Sequence, residues 1–334
     1  MRHPLSRRAL IASVGVWPLA AWPQSPPRRP LIGYLSGVRL DAAAQRYNLD
    51  PFVQGLREQG YVPGQNITIE YRWAEGQLER LPALLAELLA LRPDVLVTAG
   101  PRPTLLMRDL QRAGQASGVP VVAVAIDDPV AMGLATSIAR PGGQITGLSG
   151  AFGGILEKRL QLMKDLLPQA RRFAVLANPL TNPVAGITRD LPDWERRLGV
   201  EIVLVIASEP AQFDAAFESM ARQQVQSVAI LADTVFWTHR ARLGELCARH
   251  RLPAVVGGSG YLADVGLVSY QGDFAALNRR AGSFIDKILK GTKPGEIPFE
   301  QSGKLELVVN MKAARALGLR IPQSILVSAD EVIE

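Results

Sequence analysis

Arg140-Pro141-Gly142-Gly143-Gln144-Ile145-Thr146-Gly147-Leu148-Ser149 joins two halves of the chain that resemble each other. Pro141 cannot donate a helical N–H, so it is expected to stop a helix running from Val130 to Ala139. Gly142 and Gly143 free the backbone to turn, and Ile145 to Leu148 then reads as a short extended segment. The reading that decides the fold is that the chain crosses here from one lobe to a second.

The flanking sequence supports it. Leu31–Ser36 is a buried-type strand, followed by a helix over Asp50–Gln59 with Asp50 as N-cap and Pro51 in the first turn. Then come a strand over Asn66–Trp73, a helix over Leu78–Leu91, the strand Val95–Thr98, a helix over Thr104–Ala113 and the strand Val119–Ile126. The second half repeats this plan. Arg171-Arg172-Phe173-Ala174-Val175-Leu176-Ala177-Asn178-Pro179 echoes the first strand, and the helix ending at Gly199 echoes the one ending at Gly60. Val200–Ile206, Val228–Ala232 and Leu252–Val256 follow as strands, with helices over Gln212–Gln223 and His239–His250 between them. Short apolar strands alternating with helices indicate parallel sheets covered on both faces. The expected fold is therefore α/β, with two Rossmann-like lobes. Such sheets bind ligands at the carboxyl ends of their strands. Those ends supply the candidate ligand-binding residues: Ser36, Gly37, Trp73, Thr98, Ala99, Gly100, Asp127, Asp128, Asn178, Asp233, Thr234 and Gly257. Tyr34, Tyr71, Phe236 and Trp237 stand near strand ends as further aromatic candidates. An Asp at 127 or 128 suits an amine, and Asp128→Ala is expected to weaken binding without unfolding the first lobe.

Composition sets limits. The chain has 334 residues, 48% of them hydrophobic, enough for two ordinary domains. No interior apolar run reaches the ~18–20 residues of a membrane span. Residues 1–25 read as an export signal: Arg2, Arg7 and Arg8 precede an uncharged apolar run, and Ser6-Arg7-Arg8 fits a twin-arginine signal, with a general secretory signal as the alternative. The three arginines account for half of the net charge of +6, and no basic run interleaved with aromatics points to nucleic acid. Cys247 is the single cysteine, so there is no internal disulfide, no cysteine-based metal site and no lipid anchor. No metal and no cofactor is expected. Gly258-Ser259-Gly260-Tyr261-Leu262-Ala263 fits the G-x-G-x-x-A pattern of an alternative Rossmann enzyme. It follows the last strand of a lobe, however, and has no acid at a strand end ~20 residues on.

Gly60-Tyr61-Val62-Pro63-Gly64-Gln65-Asn66-Ile67-Thr68-Ile69-Glu70-Tyr71-Arg72-Trp73, Asp128-Pro129-Val130, Ala139-Arg140-Pro141-Gly142-Gly143, Leu305–Asn310 and Ala329-Asp330-Glu331-Val332-Ile333 carry a resemblance over nearly the whole chain. It resembles the substrate-binding proteins of bacterial ABC importers, in the group assigned to tryptophan/tyrosine transport. The resemblance implies a type I periplasmic-binding-protein fold, its two lobes joined by a three-strand hinge. It places lobe I at 26–146 with 271–298 and lobe II at 147–270 with 299–334. It further implies a periplasmic monomer that takes a small ligand by hinge closure and delivers it to a membrane permease. The ligand would be an aromatic or other amino acid, or a small organic acid. The alternative of the same fold is a ligand sensor that signals through a partner protein. The chain departs from the group's usual pattern at Ala99–Thr104, Gly114–Gly118 and Gly257–Tyr261.

Overall fold

The computed structural model describes residues 28–334 apart from 127, 151–153, 183 and 302; the proposed signal over residues 1–25 lies outside the described residues. Among the described residues thirteen strands form two sheets. The first half supplies β1 (Leu31–Ser36), β2 (Thr68–Trp73), β3 (Val95–Ala99), β4 (Val121–Ile126) and β5 (Ile145–Ser149). The second supplies β6 (Arg172–Ala177), β7 (Glu201–Ile206), β8 (Ser227–Ile230), β9 (Ala254–Val256) and β10 (Val268–Gly272). The C-terminal part adds β11 (Glu300–Gln301), β12 (Leu305–Asn310) and β13 (Glu331–Ile333).

The sheet orders are β11-β5-β4-β3-β1-β2 and β13-β12-β10-β9-β8-β6-β7. Each half thus contributes five parallel strands in the same spatial order, the arrangement the sequence echo predicts. The antiparallel pairing is β10 with β12. Apolar residues cover both faces of each sheet, as parallel strands require. β5 and β11 lie wholly in the first sheet, so the chain leaves that sheet after Ser149 and after Gln301, a few residues beyond the expected 146 and 298.

Local structure departs from the sequence reading at three places. Helical turns run from Ala42 through a π-helical segment at Gln45–Leu49 to Glu58, and the capping carboxylate is Asp41, which accepts from Ala44 N at 2.9 Å, rather than Asp50. The expected helix over Val130–Ala139 is a run of turns. There the Asp128 carboxylate accepts from Val130 N and Ala131 N, and Gly133 sits at φ 65°. An aspartate that bonds its own downstream N–H groups offers the backbone an alternative to helix. The helix Ile155–Leu166, which the sequence pattern does not signal, begins lobe II.

After β10 the helix Phe274–Leu289 returns to lobe I and packs along Asp50–Glu58. Its Leu277, Ala281, Phe284, Ile285 and Ile288 belong to the same core as Ile32, Tyr34, Phe52 and Leu56. The contact is close enough to exclude a side chain: a Cβ on Gly55 would lie 1.8 Å from the Arg279 carbonyl oxygen. Rotation cannot relieve a clash with backbone. Gly55→Ala is therefore expected to destabilise lobe I by about 1–3 kcal/mol or more, read as a lower thermal unfolding midpoint in the ligand-free protein.

Candidate functional site

The carboxyl ends of the strands of both sheets face one another across a cavity of about 100 Å³. From lobe I it is lined by Ser36 at the end of β1, Ala99, Gly100 and Pro101 after β3, and Ala125 and Ile126 at the end of β4. From lobe II come Ala232, Asp233 and Thr234 after β8, then Trp237, Gly257, Tyr261 and Gln271. Val38 and Asn48 also line it from the lobe I side, and Phe274 and Asn278, one turn apart on the returning helix, complete the wall. The lining is mostly apolar, with a few fixed polar groups, the composition of a small-molecule site. Among the described lining residues Asp233 carries the sole formal charge.

Local backbone sets this lining. The β4–β5 register shifts between Val124 and Ile126, and Ala125 at the bulge takes φ 57°. A non-glycine residue in that region costs ~1–3 kcal/mol and is held only by its surroundings. Here the bulge sits where the strand meets the cavity. Across the cleft, Asp233 caps the short helix Thr234–Thr238: its Oδ1 accepts from Val235 N and Phe236 N at 2.8 and 3.1 Å. Its Oδ2 accepts from the Thr181 hydroxyl at 2.6 Å and Asn178 Nδ2 at 3.2 Å. The Tyr261 hydroxyl donates to the Asp233 carbonyl at 3.0 Å, and burial together with the Asp233 charge pushes its phenol well above the usual range. Below this layer the buried Arg159 donates to the Tyr270 carbonyl at 2.8 Å and to Gln271 Oε1, while Gln271 Nε2 donates to the Gly150 carbonyl at 3.2 Å. The network ties the chain leaving β5 to the end of β10.

Ser36, Ala99, Gly100, Asp233, Thr234 and Gly257 are thus brought together on the cavity. Gly37 lies beside it, where a Cβ would meet Thr234 Cγ2 of the other lobe at 2.9 Å. Thr98 and Asn178 are buried one layer behind, Thr98 bonded to Thr104 at 2.8 Å. Trp73 packs on Tyr34, with ring centroids 5.4 Å apart, and Tyr34 is enclosed by Phe52 and Tyr71 as well. Burial pushes the Tyr71 phenol up to about 12. Phe236 is core, against Phe213. Asp128 is exposed and caps its own turn, and Asp127 lies outside the described residues. Sequence reading did not name Gln271, Phe274 or Asn278. Gln271 lies in β10, and the helix that carries Phe274 and Asn278 reads as an ordinary amphipathic core helix; only the crossing of the chain brings its first turns to the cleft.

The lobes also meet outside the cavity. Arg240 of lobe II pairs with Asp41 of lobe I at 2.7 Å and with Asp264 of its own lobe at 2.6 Å, and its guanidinium lies 5.1 Å from the Trp237 ring centroid. The Arg240 side chain is 12% exposed, so this pair is screened far less than a surface one. Burial works against the Asp41 charge, but the Ala44 N–H and the Arg240 guanidinium overcome it and hold the carboxyl below its ordinary value. A depressed carboxyl contributes fully above its unfolded value and loses its contribution as pH falls through the folded one. The lobe-to-lobe contact is therefore expected to hold from neutral pH to about pH 4 and to loosen only below it. Small-angle scattering across this range tests this: Asp41→Asn should already show at pH 7 the expansion that the wild type shows only in acid.

Residues 38–333 match the family model described as ABC transporter substrate binding protein. A tyrosine-binding protein of Clostridioides difficile (strain R20291) is 23% identical over 270 residues, which cover 80% of this chain and 76% of that one. A conserved domain protein of Vibrio cholerae superposes with a TM-score of 0.82 at 22% identity, over 91% of this chain and 100% of the other. A domain from Streptococcus pneumonia solved in complex with L-Trp gives 0.81 at 22% identity, over 92% and 100%.

Proposed function

Because the chain belongs to the family of ABC transporter substrate-binding proteins, with the type I periplasmic-binding fold, we propose that it captures a small amino acid, aromatic by preference, between its lobes for an importer. The observation that carries this reading is the cavity itself: every strand end that lines it belongs to one of two facing sheets, and its walls include Trp237, Tyr261 and Phe274. A ligand there touches both lobes at once, so binding favours the closed arrangement over the open one. The tyrosine-binding relative and the similar L-Trp-bound structure support an aromatic side chain as the occupant.

The hinge is formed by the three crossings, after β5, after β10 and after β11. Lobe closure brings Arg240 onto Asp41, and the closed face is what a membrane permease would meet. Residues 1–25 act as an export signal of the twin-arginine type, placing a soluble monomer in the periplasm. No helix among the described residues is long and apolar enough to cross a membrane. The chemistry is non-covalent throughout: capture, enclosure and release.

Native mass spectrometry of the purified protein, followed by thermal unfolding with each amino acid, tests the reading. L-tryptophan or L-tyrosine at a hundred times its dissociation constant should stabilise the fold by about 2.7 kcal/mol. Stabilisation by none of the amino acids would remove this ligand class. Arg240→Ala should weaken the same ligand roughly tenfold, about 1.4 kcal/mol, by taking away a contact made only in the closed form; titration calorimetry reads it directly.

A further inference from the structure

The cavity poses a problem for any ligand that carries an amine. Its sole lining carboxylate among the described residues is Asp233, and both oxygens of that group are already held by four donors inside lobe II. The Gln271 amide is likewise taken, its oxygen by Arg159 and its nitrogen by the Gly150 carbonyl. The Tyr261 hydroxyl is turned to the Asp233 backbone.

Asn278 differs. It lines the cavity from the lobe I side and is 2% exposed. Its Nδ2 donates to the Phe274 carbonyl at 2.9 Å and to the Tyr47 carbonyl at 3.4 Å. Two carbonyl acceptors on one side of the amide fix which end is nitrogen, so the orientation is not interchangeable. The Oδ1 is then left with no hydrogen-bond partner, one of two such buried atoms among the described lining residues, the other being Trp237 Nε1 in lobe II. A buried acceptor left unpaired costs ~1–3 kcal/mol, a cost that a ligand N–H would remove.

We infer that Asn278 is the residue that selects for an amine on the ligand, its Oδ1 accepting from the ligand ammonium at the lobe I wall. This inference rests on the amino-acid reading of the cavity. An amide oxygen is a neutral acceptor, so the site recognises the amine by hydrogen-bond geometry instead of by an opposing charge. A site built around such an acceptor disfavours an analogue that lacks the donor, because the acceptor stays buried and unpaired.

The test compares L-tryptophan with indole-3-propionate, the same molecule without its amine, by titration calorimetry on the wild type, Asn278→Leu and Asn278→Asp. The wild type should prefer the amino acid by about 10–100-fold, the span of one hydrogen bond to a charged group. Asn278→Leu should lose that preference by weakening the amino acid while leaving the propionate within about twofold. Asn278→Asp, which keeps an acceptor, should retain the preference. Thermal unfolding without ligand separates misfolding from lost recognition; should the Leu variant not fold, Asn278→Ala, which likewise has no side-chain acceptor, carries the same expectation as Leu. Undiminished preference in the folded Leu or Ala variant overturns the inference alone. Loss of preference in a folded Asp variant as complete as in Leu also overturns it. A wild type that binds neither L-tryptophan nor L-tyrosine overturns the amino-acid reading and this inference with it.

Discussion

A parallel strand cannot reach its neighbour without crossing the full length of the sheet, and the crossover has one hand. Every strand of the five-strand unit therefore releases its chain at the same edge. That constraint gives each lobe one edge of loops, and the duplication gives the molecule two such edges, facing each other. The cavity, the capped Asp233, the bulge at Ala125 and the lobe-to-lobe pair at Arg240 are all tenants of those edges. The floor is a hydrogen-bonded sheet on both sides, and the lining residues stand at the strand ends and on the helices packed beside them.

Polar groups at the cleft fall into two kinds. Asp233, Asn178, Thr181 and Tyr261 are bonded among themselves, and Arg159 and Gln271 are bonded to each other and to the Tyr270 and Gly150 carbonyls. Asn278 and Trp237 keep buried polar atoms without partners. The first kind costs the fold little and offers a ligand little. The second kind costs the empty protein something, and that cost is what an occupant can recover. A charge near a cavity is therefore a poor guide to what binds there, and the committed state of its lone pairs is a better one.

Much of this was legible in the chain. Apolar runs of four to six residues between helices gave the parallel sheets, and the echo of Arg28–Ser36 in Arg171–Pro179 gave two lobes of one design. Small residues at strand ends led to Ser36, Ala99, Gly100, Asp233, Thr234 and Gly257 on the cavity. What was not legible depended on distance or on competition. Asp41 and Arg240 are 199 residues apart, and neither position marks the other. Asp50 carries the sequence signature of a cap, but the π-helical turn before it lets the helix begin at Asp41. Val130–Ala139 has helical spacing, yet Asp128 bonding its own downstream N–H groups and the left-handed Gly133 hold it as turns. The aromatics near strand ends divided by element: Tyr34, Tyr71 and Trp73, on one face of the lobe I sheet, pack into its core, while Trp237, on the helix after β8, reaches the cavity.

The return of Phe274–Leu289 to lobe I has a consequence for how the protein is made. Five residues of this helix sit in the core that Ile32 and Tyr34 begin, so the first lobe to be synthesised is completed by nearly the last segment to leave the ribosome. A chain emerging in order therefore cannot consolidate its N-terminal lobe early. It must hold β1 to β5 in a partly built state while lobe II is translated, and contacts of such long sequence separation form slowly. Maturation of the two lobes is thereby coupled, and a truncated chain lacking its final sixty residues would leave an exposed apolar face on the half that was translated first.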